Sequence, residues 1–461
     1  MLSRHRLPFR FKPSLSFALL LSLLFILWLA GGASRADALG QTVVRVAAWL
    51  AVIALILFGK RPIARDLRPV GLLLMVALIL VLLQLVPLPP AIWQALPHRD
   101  LVSASIALGE AQPWRPWSMT PGATGNAASS MIVPIAALAL VAGLKQSERS
   151  RLTTILFALV IGSALIGLMQ FSGMRFFNPL INATPGEVSG NLANRNHFAL
   201  LMAIGCLLAP AWAFRDGRRA QWRGLLAIGM ILLFALTILA SGSRAGMLLG
   251  VLAIAIGILL ALRPLQRELR HTPRWVLPAL LVAVVATIST FVFISVASNR
   301  AVSIDRAVTI EGDQDMRVRA LPTVVSMVKT YFPAGSGFGG FDPIFRIHEP
   351  FNLLKLTYFN HAHNDFLEII LDGGLPALLL LMAAMAWWVA ASVRAWRASG
   401  ADNILPRLGS AIILLVFVAS VFDYPARTPI IMAILVVAAA WLARGTVTPT
   451  QSALPDAGQS L

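Results

Sequence analysis

Cysteine and charge are both scarce in this 461-residue sequence. Its single cysteine, Cys206, lies inside an apolar run, which excludes a disulfide framework. Only 13% of the residues are charged, well below the roughly 25% that is usual in soluble domains. No His, Cys or carboxylate residues recur at the spacing of a metal site, so we predict a protein that needs neither a metal nor another cofactor.

Apolar residues make up 58% of the chain and occur in long runs, many close to the roughly 20 residues that cross a bilayer as a helix. They predict an all-α polytopic membrane protein with about 12 transmembrane helices. Because no internal repeat or low-complexity linker separates the runs, residues 1–461 are expected to form a single integral membrane domain. The predicted spans are 14–31, 42–58, 69–86, 129–144, 152–171, 197–214, 224–240, 245–262, 276–297, 375–393, 407–422 and 429–443.

The formal net charge of +18 reflects membrane topology rather than nucleic-acid binding. Lys and Arg concentrate in alternate connectors, which the positive-inside rule places in the cytoplasm. This pattern predicts a multi-pass membrane protein with both termini in the cytoplasm. The first apolar run fits either a cleaved signal peptide or a retained helix, and we predict the helix because the run is long for a signal peptide.

Three sizeable segments then face outward, away from the cytoplasm: 87–128, 172–196 and 298–374. The first is rich in Pro and Trp, which is typical of a linker lying at the membrane interface. The third is a large loop before the tenth helix, with an amphipathic helix predicted over 316–331. The Gly-rich run 335–340 lacks the ending of a phosphate-binding P-loop, so we interpret it as a flexible turn.

Arg244 lies in the short connector 241–246 between two apolar runs. An arginine here either extends to the lipid headgroups or binds an anion. Gly242 and Gly246 favour the anion, because they allow backbone N–H groups to approach it closely. The arginine fork suits phosphate, since it contacts two oxygens at once.

A polar group also marks the entrance of the sixth predicted helix. Asn194 and Arg195 are candidate substrate-binding residues, because amide and guanidinium groups bond to sugar hydroxyls. Asn196 is expected to be the N-cap of a helix that begins at His197.

The most informative segment is where the large loop re-enters the membrane, at 361–376. Ionisable groups at a membrane edge are costly unless they meet a polar substrate. His363 is the candidate general base, because an ordinary imidazole titrates near neutral pH. His361, Asn364 and Asp365 are further candidates for substrate binding.

Together these motifs resemble the O-antigen ligase and polysaccharide polymerase superfamily over about 180–430. The shared motifs are Asn-Arg-Asn-His-Phe at 194–198, Ser-Arg-Ala-Gly at 243–246, Gly-Ser-Gly-Phe-Gly-Gly-Phe at 335–341, His-Ala-His-Asn-Asp-Phe-Leu at 361–367, Gly-Leu-Pro at 374–376 and Phe-Asp-Tyr-Pro at 422–425. The resemblance implies a C-type glycosyltransferase fold. It places the family's two pyrophosphate-binding arginines at Arg244 and Arg317 and its catalytic histidine at His363. Arg319 competes with Arg317, because Leu321 stands where relatives commonly have Trp.

The resemblance also implies the reaction. A glycan would leave an undecaprenyl-pyrophosphate carrier and join a glycan or lipid A-core acceptor on the periplasmic face of the bacterial inner membrane, with inversion at the anomeric carbon and without a metal. Whether the protein is a ligase or a polymerase stays open. The alternative is a non-enzymatic transporter of a small anion, which should place charges or broken helices near the middle of the membrane.

Overall fold

A computed structural model describes residues 12–60, 65–103, 109–174, 176–214, 222–269, 316–354, 359–398 and 403–445, with the single residues 273, 275 and 282. The first half of the chain contains α1 (Leu15–Ala30), α2 (Leu39–Phe58), α3 (Arg68–Leu83), α4 (Pro90–Trp93), α5 (Asp100–Ser103), α6 (Pro121–Ser130), α7 (Ile132–Ala142), α8 (Gln146–Phe171) and α9 (Arg195–Ala213). The second half contains α10 (Trp222–Ser241), α11 (Arg244–Leu269), α12 (Met316–Tyr331), α13 (Phe341–His348), α14 (Asp365–Arg397), α15 (Ile404–Phe422) and α16 (Pro429–Arg444).

These helices confirm an all-α membrane protein. Across the described ranges, nine helices are long and apolar enough to cross a bilayer, and the shorter α1 and α16 are also apolar. The described strands, β1 (Pro87–Leu88) and β2 (Arg115–Pro116), form one antiparallel pair. The predicted span 276–297 and the start of the large loop lie outside the described residues.

Helix α9 forms the centre of the bundle. It is apolar on all sides and almost completely buried, because α8, α10, α11 and α15 pack around it. Helix α1 also packs into the core, where Leu20, Leu23, Leu24 and Leu27 are buried. This is the arrangement that a retained first helix predicts.

The segment between α3 and α6, expected to be a linker along the membrane, instead folds over the Gly-rich turn at 335–340. Buried Arg99 donates to the carbonyl oxygens of Trp117 and Gly335. Gln84 donates to the Asp372 carbonyl and accepts from the Phe338 N–H. The Gly-rich turn was therefore wrongly interpreted as flexible, because hydrogen bonds from several segments hold it in place.

Helix α14 begins at Asp365, ten residues before the predicted span at 375–393. Its first turns are polar, so hydropathy alone misses them. Gly374 breaks the helix with a φ of 59°, a conformation that favours glycine. The break separates a polar helical start, with Asp365, Glu368 and Asp372, from the apolar remainder.

Candidate active site

Asp423 lies at the centre of the candidate site, directly after the end of α15. Its buried carboxylate accepts hydrogen bonds from the amide nitrogens of Asn194 at 3.1 Å and Asn196 at 2.6 Å. It also accepts from the Tyr424 backbone N–H and lies 3.0 Å from Nδ1 of His363. A carboxylate with this many donors is strongly stabilised in its ionised form.

Burial alone would raise the pKa of Asp423. The hydrogen bond from His363 and the nearby His197 and Arg317 act in the opposite direction and are stronger together. The net effect holds the pKa of the Asp423 carboxyl well below its usual range. Asp423 is therefore an anion at neutral pH.

His363 is fixed by this anion. Its φ of 51° is unusual for a residue with a side chain, and turns the imidazole toward the end of α15. Because the ionised Asp423 accepts a hydrogen bond, the neutral form of the His363 imidazole carries its proton on Nδ1, and Nε2 is then the nitrogen that can act as a base. The side chain is 15% exposed, so it remains partly open to a substrate.

Arg317 joins the same site from the start of α12. Its Nη1 donates to the Phe422 carbonyl at 3.1 Å, and its Nη2 lies 3.8 Å from Oδ2 of Asp423. Arg319 donates instead to the Asn352 carbonyl at 2.6 Å. Of the two competing arginines, Arg317 is the one that lies against Asp423.

Arg244 is the first residue of α11 and is exposed. The residue before it, Ser243, contacts the site. Ser243 donates to the side-chain oxygen of Asn196 at 2.7 Å, and Asn196 donates to Asp423. Ser243 also accepts from the Gly246 N–H, which caps the helix. Gly246 packs against Ala199 of α9 with no room for a side chain, so its role here is close helix packing.

His361 forms a second pair, separate from His363. Its Nδ1 lies 2.9 Å from Oε1 of the buried Glu368, whose other oxygen accepts from the Ala362 N–H. The Tyr424 ring lies between the two histidines, with centroid distances of 4.1 Å to His361 and 5.0 Å to His363. The two neighbouring histidines therefore contact different carboxylates.

Arg427 forms ion pairs with the three carboxylates at the start of α14. Its guanidinium lies 3.1 Å from Asp365, 3.2 Å from Glu368 and 3.8 Å from Asp372. Burial would lower the pKa of Arg427, but the three carboxylates raise it above its usual range. Sequence reasoning missed Arg427, although Asp365, Glu368 and Asp372 recur at the spacing of one helix face, which calls for a cationic partner.

Several predicted substrate-binding residues also make structural contacts. Asn364 is the N-cap of α14, accepts from the Leu367 N–H and donates to the Val421 carbonyl. Asp365 is buried against Arg427. Asn194, not Asn196, caps α9, so that helix begins at Arg195 rather than at His197. Arg195 extends to Glu187 at 3.5 Å rather than to Asp423.

Asp423 itself was missed as a site residue, although the sequence motif at 422–425 contains it. No local signal connects it to His363, because the two residues are brought together only by the packing of α14 on α15. Over the described ranges, no group of three or more His, Cys, Asp or Glu side chains is arranged to hold a metal ion.

Comparison with known proteins confirms the predicted resemblance. Residues 228–382 match the family model of the O-antigen ligases, roughly a third of the chain. The matched region contains Arg244, Arg317 and His363, whereas Asn194 and Asp423 lie outside it. It supports glycan transfer of the O-antigen ligase or polymerase type. No curated protein matches the chain.

Proposed function

We propose that this protein is a membrane glycosyltransferase that takes a glycan from an undecaprenyl-pyrophosphate carrier and joins it to an acceptor hydroxyl at the periplasmic face. The observation that carries the proposal is the pairing of His363 with the buried, ionised Asp423. This pairing leaves Nε2 of His363 as a base of fixed orientation, beside an arginine suited to a phosphate. The O-antigen ligase match supports the same reaction class.

In this mechanism His363 starts the transfer. Its Nε2 removes the proton from the acceptor hydroxyl while the oxygen forms a bond to the anomeric carbon. Asp423 holds the imidazole in the required tautomer and stabilises the imidazolium that forms, as a carboxylate does in a catalytic triad. Attack opposite the leaving group inverts the anomeric carbon.

The leaving group gains charge as the bond from the anomeric carbon to the phosphate oxygen breaks. The electron pair leaves with the lipid pyrophosphate, whose negative charge increases. Arg244, which is exposed, and Arg317, which is partly buried beside Asp423, supply the compensating positive charge. No metal ion is required for this step.

The anion transporter is the weaker alternative. Its signature would be a broken helix at the middle of the membrane. Helix α14 is broken at Gly374, but the remaining 375–397 segment extends about 35 Å at 1.5 Å per residue, enough to cross the hydrocarbon alone. The break and its carboxylates then lie at the membrane edge, where they support the loop that carries His363.

Purified protein in detergent provides the test, because a transporter needs a gradient and a transferase does not. We expect wild type to convert a lipid-linked glycan into product and free lipid pyrophosphate. Arg244→Ala should abolish turnover, and Arg244→Lys should restore only part of it, because an ammonium cannot make a bidentate contact. Full turnover by Arg244→Ala would show that this arginine only contacts headgroups.

The same assay separates ligase from polymerase. A ligase forms product only when lipid A-core is added, whereas a polymerase extends a second lipid-linked glycan without it. The glycan profile of a deletion strain provides an independent answer.

A further inference from the structure

Arg45 is a charged residue inside a span that the proposed reaction does not use. It lies six residues after the start of α2, roughly 9 Å along the helix axis. Helix α2 exposes a large apolar surface that includes Val46, Trp49 and Leu50, so it faces lipid. A cation in such a helix generally has a functional partner.

Among the described residues, the guanidinium of Arg45 contacts only neutral oxygens. Nη1 lies 2.7 Å from Oδ1 of Asn126 and 2.8 Å from Oγ of Ser129, and Nη2 lies 3.2 Å from Oε1 of Gln41. Over the described ranges, no carboxylate forms an ion pair with it. The positive charge is oriented by hydrogen bonds but is not neutralised.

An open helix face lies beside this cation. Gly122, Gly125, Asn126 and Ser129 share one face of α6, as their spacing requires. A methyl group added at either glycine would meet no described atom within 4 Å. This open face of α6 therefore leaves room for a ligand next to an oriented guanidinium.

The opposite face of α6 packs against the protein. Thr124 donates to the Phe338 carbonyl at 2.9 Å, and Ala123 and Ala127 contact Gly339. The open face of α6 and the Gly-rich turn therefore lie on opposite sides of this helix. The open face contains none of the residues proposed for glycan transfer.

We infer that Arg45, held in place by Asn126 and Ser129, binds the phosphate group of a membrane lipid beside the open face of α6. An anionic oxygen supplies the charge that the protein leaves unbalanced, and the hydroxyl and amide of α6 hold the guanidinium toward it. Helical side chains tilt toward the N-terminus, so Arg45 extends toward the nearer membrane surface, where lipid phosphates lie. The lipid is either a bilayer phospholipid or the lipid pyrophosphate donor, which share this chemistry.

Native mass spectrometry of delipidated protein tests the site with two probes, phosphatidylglycerol and a short polyprenyl pyrophosphate. Arg45→Gln should lower the occupancy of one probe about tenfold, which corresponds to one lost charge-assisted contact. The probe affected identifies the source of the phosphate. Arg35→Gln is the matched control, because Arg35 already pairs with Asp37 and should leave both occupancies unchanged.

Ser129→Ala provides a second variant that retains the charge, and it should reduce occupancy less than Arg45→Gln does. A thermal melt of each variant shows whether it is folded. The inference would be overturned if each probe reached the same occupancy in Arg45→Gln and in Ser129→Ala as it does in wild type. Because the measurement records binding alone, its outcome is independent of the proposed transferase reaction.

Discussion

At the scale of single residues, Asp423 and Arg427 explain how a membrane protein tolerates so many ionisable groups in one place. Asp423 gathers donors from α9, α12 and the loop before α14. Arg427 forms ion pairs with carboxylates at the start of α14. Each buried charge therefore has an opposite charge or several donors, which is the condition for burying it without a prohibitive cost.

The two arginines of α12 allow a prediction at this scale. Arg317→Ala should reduce turnover with a lipid-linked donor by at least about tenfold, because it removes charge beside the leaving group. Arg319→Ala is the control and should retain most activity, since Arg319 contacts the Asn352 carbonyl instead. Steady-state kinetics with varied donor concentration measures both. The reverse order of effects would assign the pyrophosphate contact to Arg319.

Sequence reasoning identified residues with unusual chemistry but not their pairing. His363 was identified from the chemistry of its side chain at a membrane edge, whereas Arg317 was identified only through the family resemblance. The role of Asp423 depends on a contact with His363 across 60 positions of sequence, which no local pattern encodes. Asn364 and Asp365 were predicted to bind substrate from local sequence alone. That sequence does not show that Asn364 caps α14 or that Asp365 pairs with the distant Arg427.

At the scale of elements, the Gly-rich turn and the start of α14 form one unit beneath the site. Gly337 N–H donates to the Asp372 carbonyl, and Gly339 N–H donates to the Asp372 carboxylate at 3.1 Å. The turn adopts left-handed backbone at Gly335, Gly337 and Gly339. Glycine is needed here for both conformation and close approach.

Gly337→Ala tests this element. Gly337 has a φ of 117°, and an added methyl group would overlap Oγ of Ser118, which is bonded to Thr124 and cannot easily move. We expect the variant to lower the free energy of unfolding by at least about 1 kcal/mol, measured by thermal melting in detergent. Gly229→Ala in α10, where a methyl group meets no described atom within 4 Å, is the control and should be neutral or stabilising. An unchanged melting temperature for Gly337→Ala would contradict the inference that the Gly-rich turn is held in place and leaves no room for a side chain.

Hydropathy predicted elements well where helices are apolar throughout and poorly where they are not. Helix α10 lies within two residues of the predicted span at both ends, whereas α8 matches its span only at the C-terminal end and α11 only at the N-terminal end. The start of α14 was missed because it contains carboxylates. These can be buried in a helix because Arg427 pairs with them, and hydropathy does not record that pairing. The segment between α3 and α6 was taken for a linker because its hydrogen bonds go to residues more than 200 positions away.

At the scale of the whole molecule, the charge pattern predicts which side of the membrane each loop occupies. The Asp423 site, the 172–196 segment and the Gly-rich turn should all face the periplasm. The single cysteine is buried, so cysteines introduced elsewhere can be labelled without background from it.

We expect a membrane-impermeant maleimide to label Thr184→Cys and Asn352→Cys in intact cells, because both positions are exposed on the predicted outer side. Ser147→Cys, exposed at the start of α8, should react only after the cells are lysed. Labelling of Ser147→Cys in intact cells, with Asn352→Cys protected, would place the site in the cytoplasm.

The central claim is that His363, oriented by Asp423, is the general base. The most direct measurement is glycan transfer in proteoliposomes from pH 5 to 8 for wild type, His363→Ala and His361→Ala. His363→Ala should lower the chemical step by ~10²–10⁴-fold with donor binding nearly unchanged. His361→Ala should mainly lower the melting temperature, because it leaves the buried Glu368 without one of its partners.

Wild-type activity should fall toward pH 5, because a protonated imidazole cannot accept the acceptor's proton. Asp423 does not cause this fall: its lowered pKa keeps the carboxylate ionised across the whole range. We therefore predict a large loss of transfer activity in His363→Ala but not in His361→Ala, and a loss of wild-type activity at acidic pH. Equal losses of turnover in the two histidine variants, or a His363→Ala defect confined to donor binding, would contradict it.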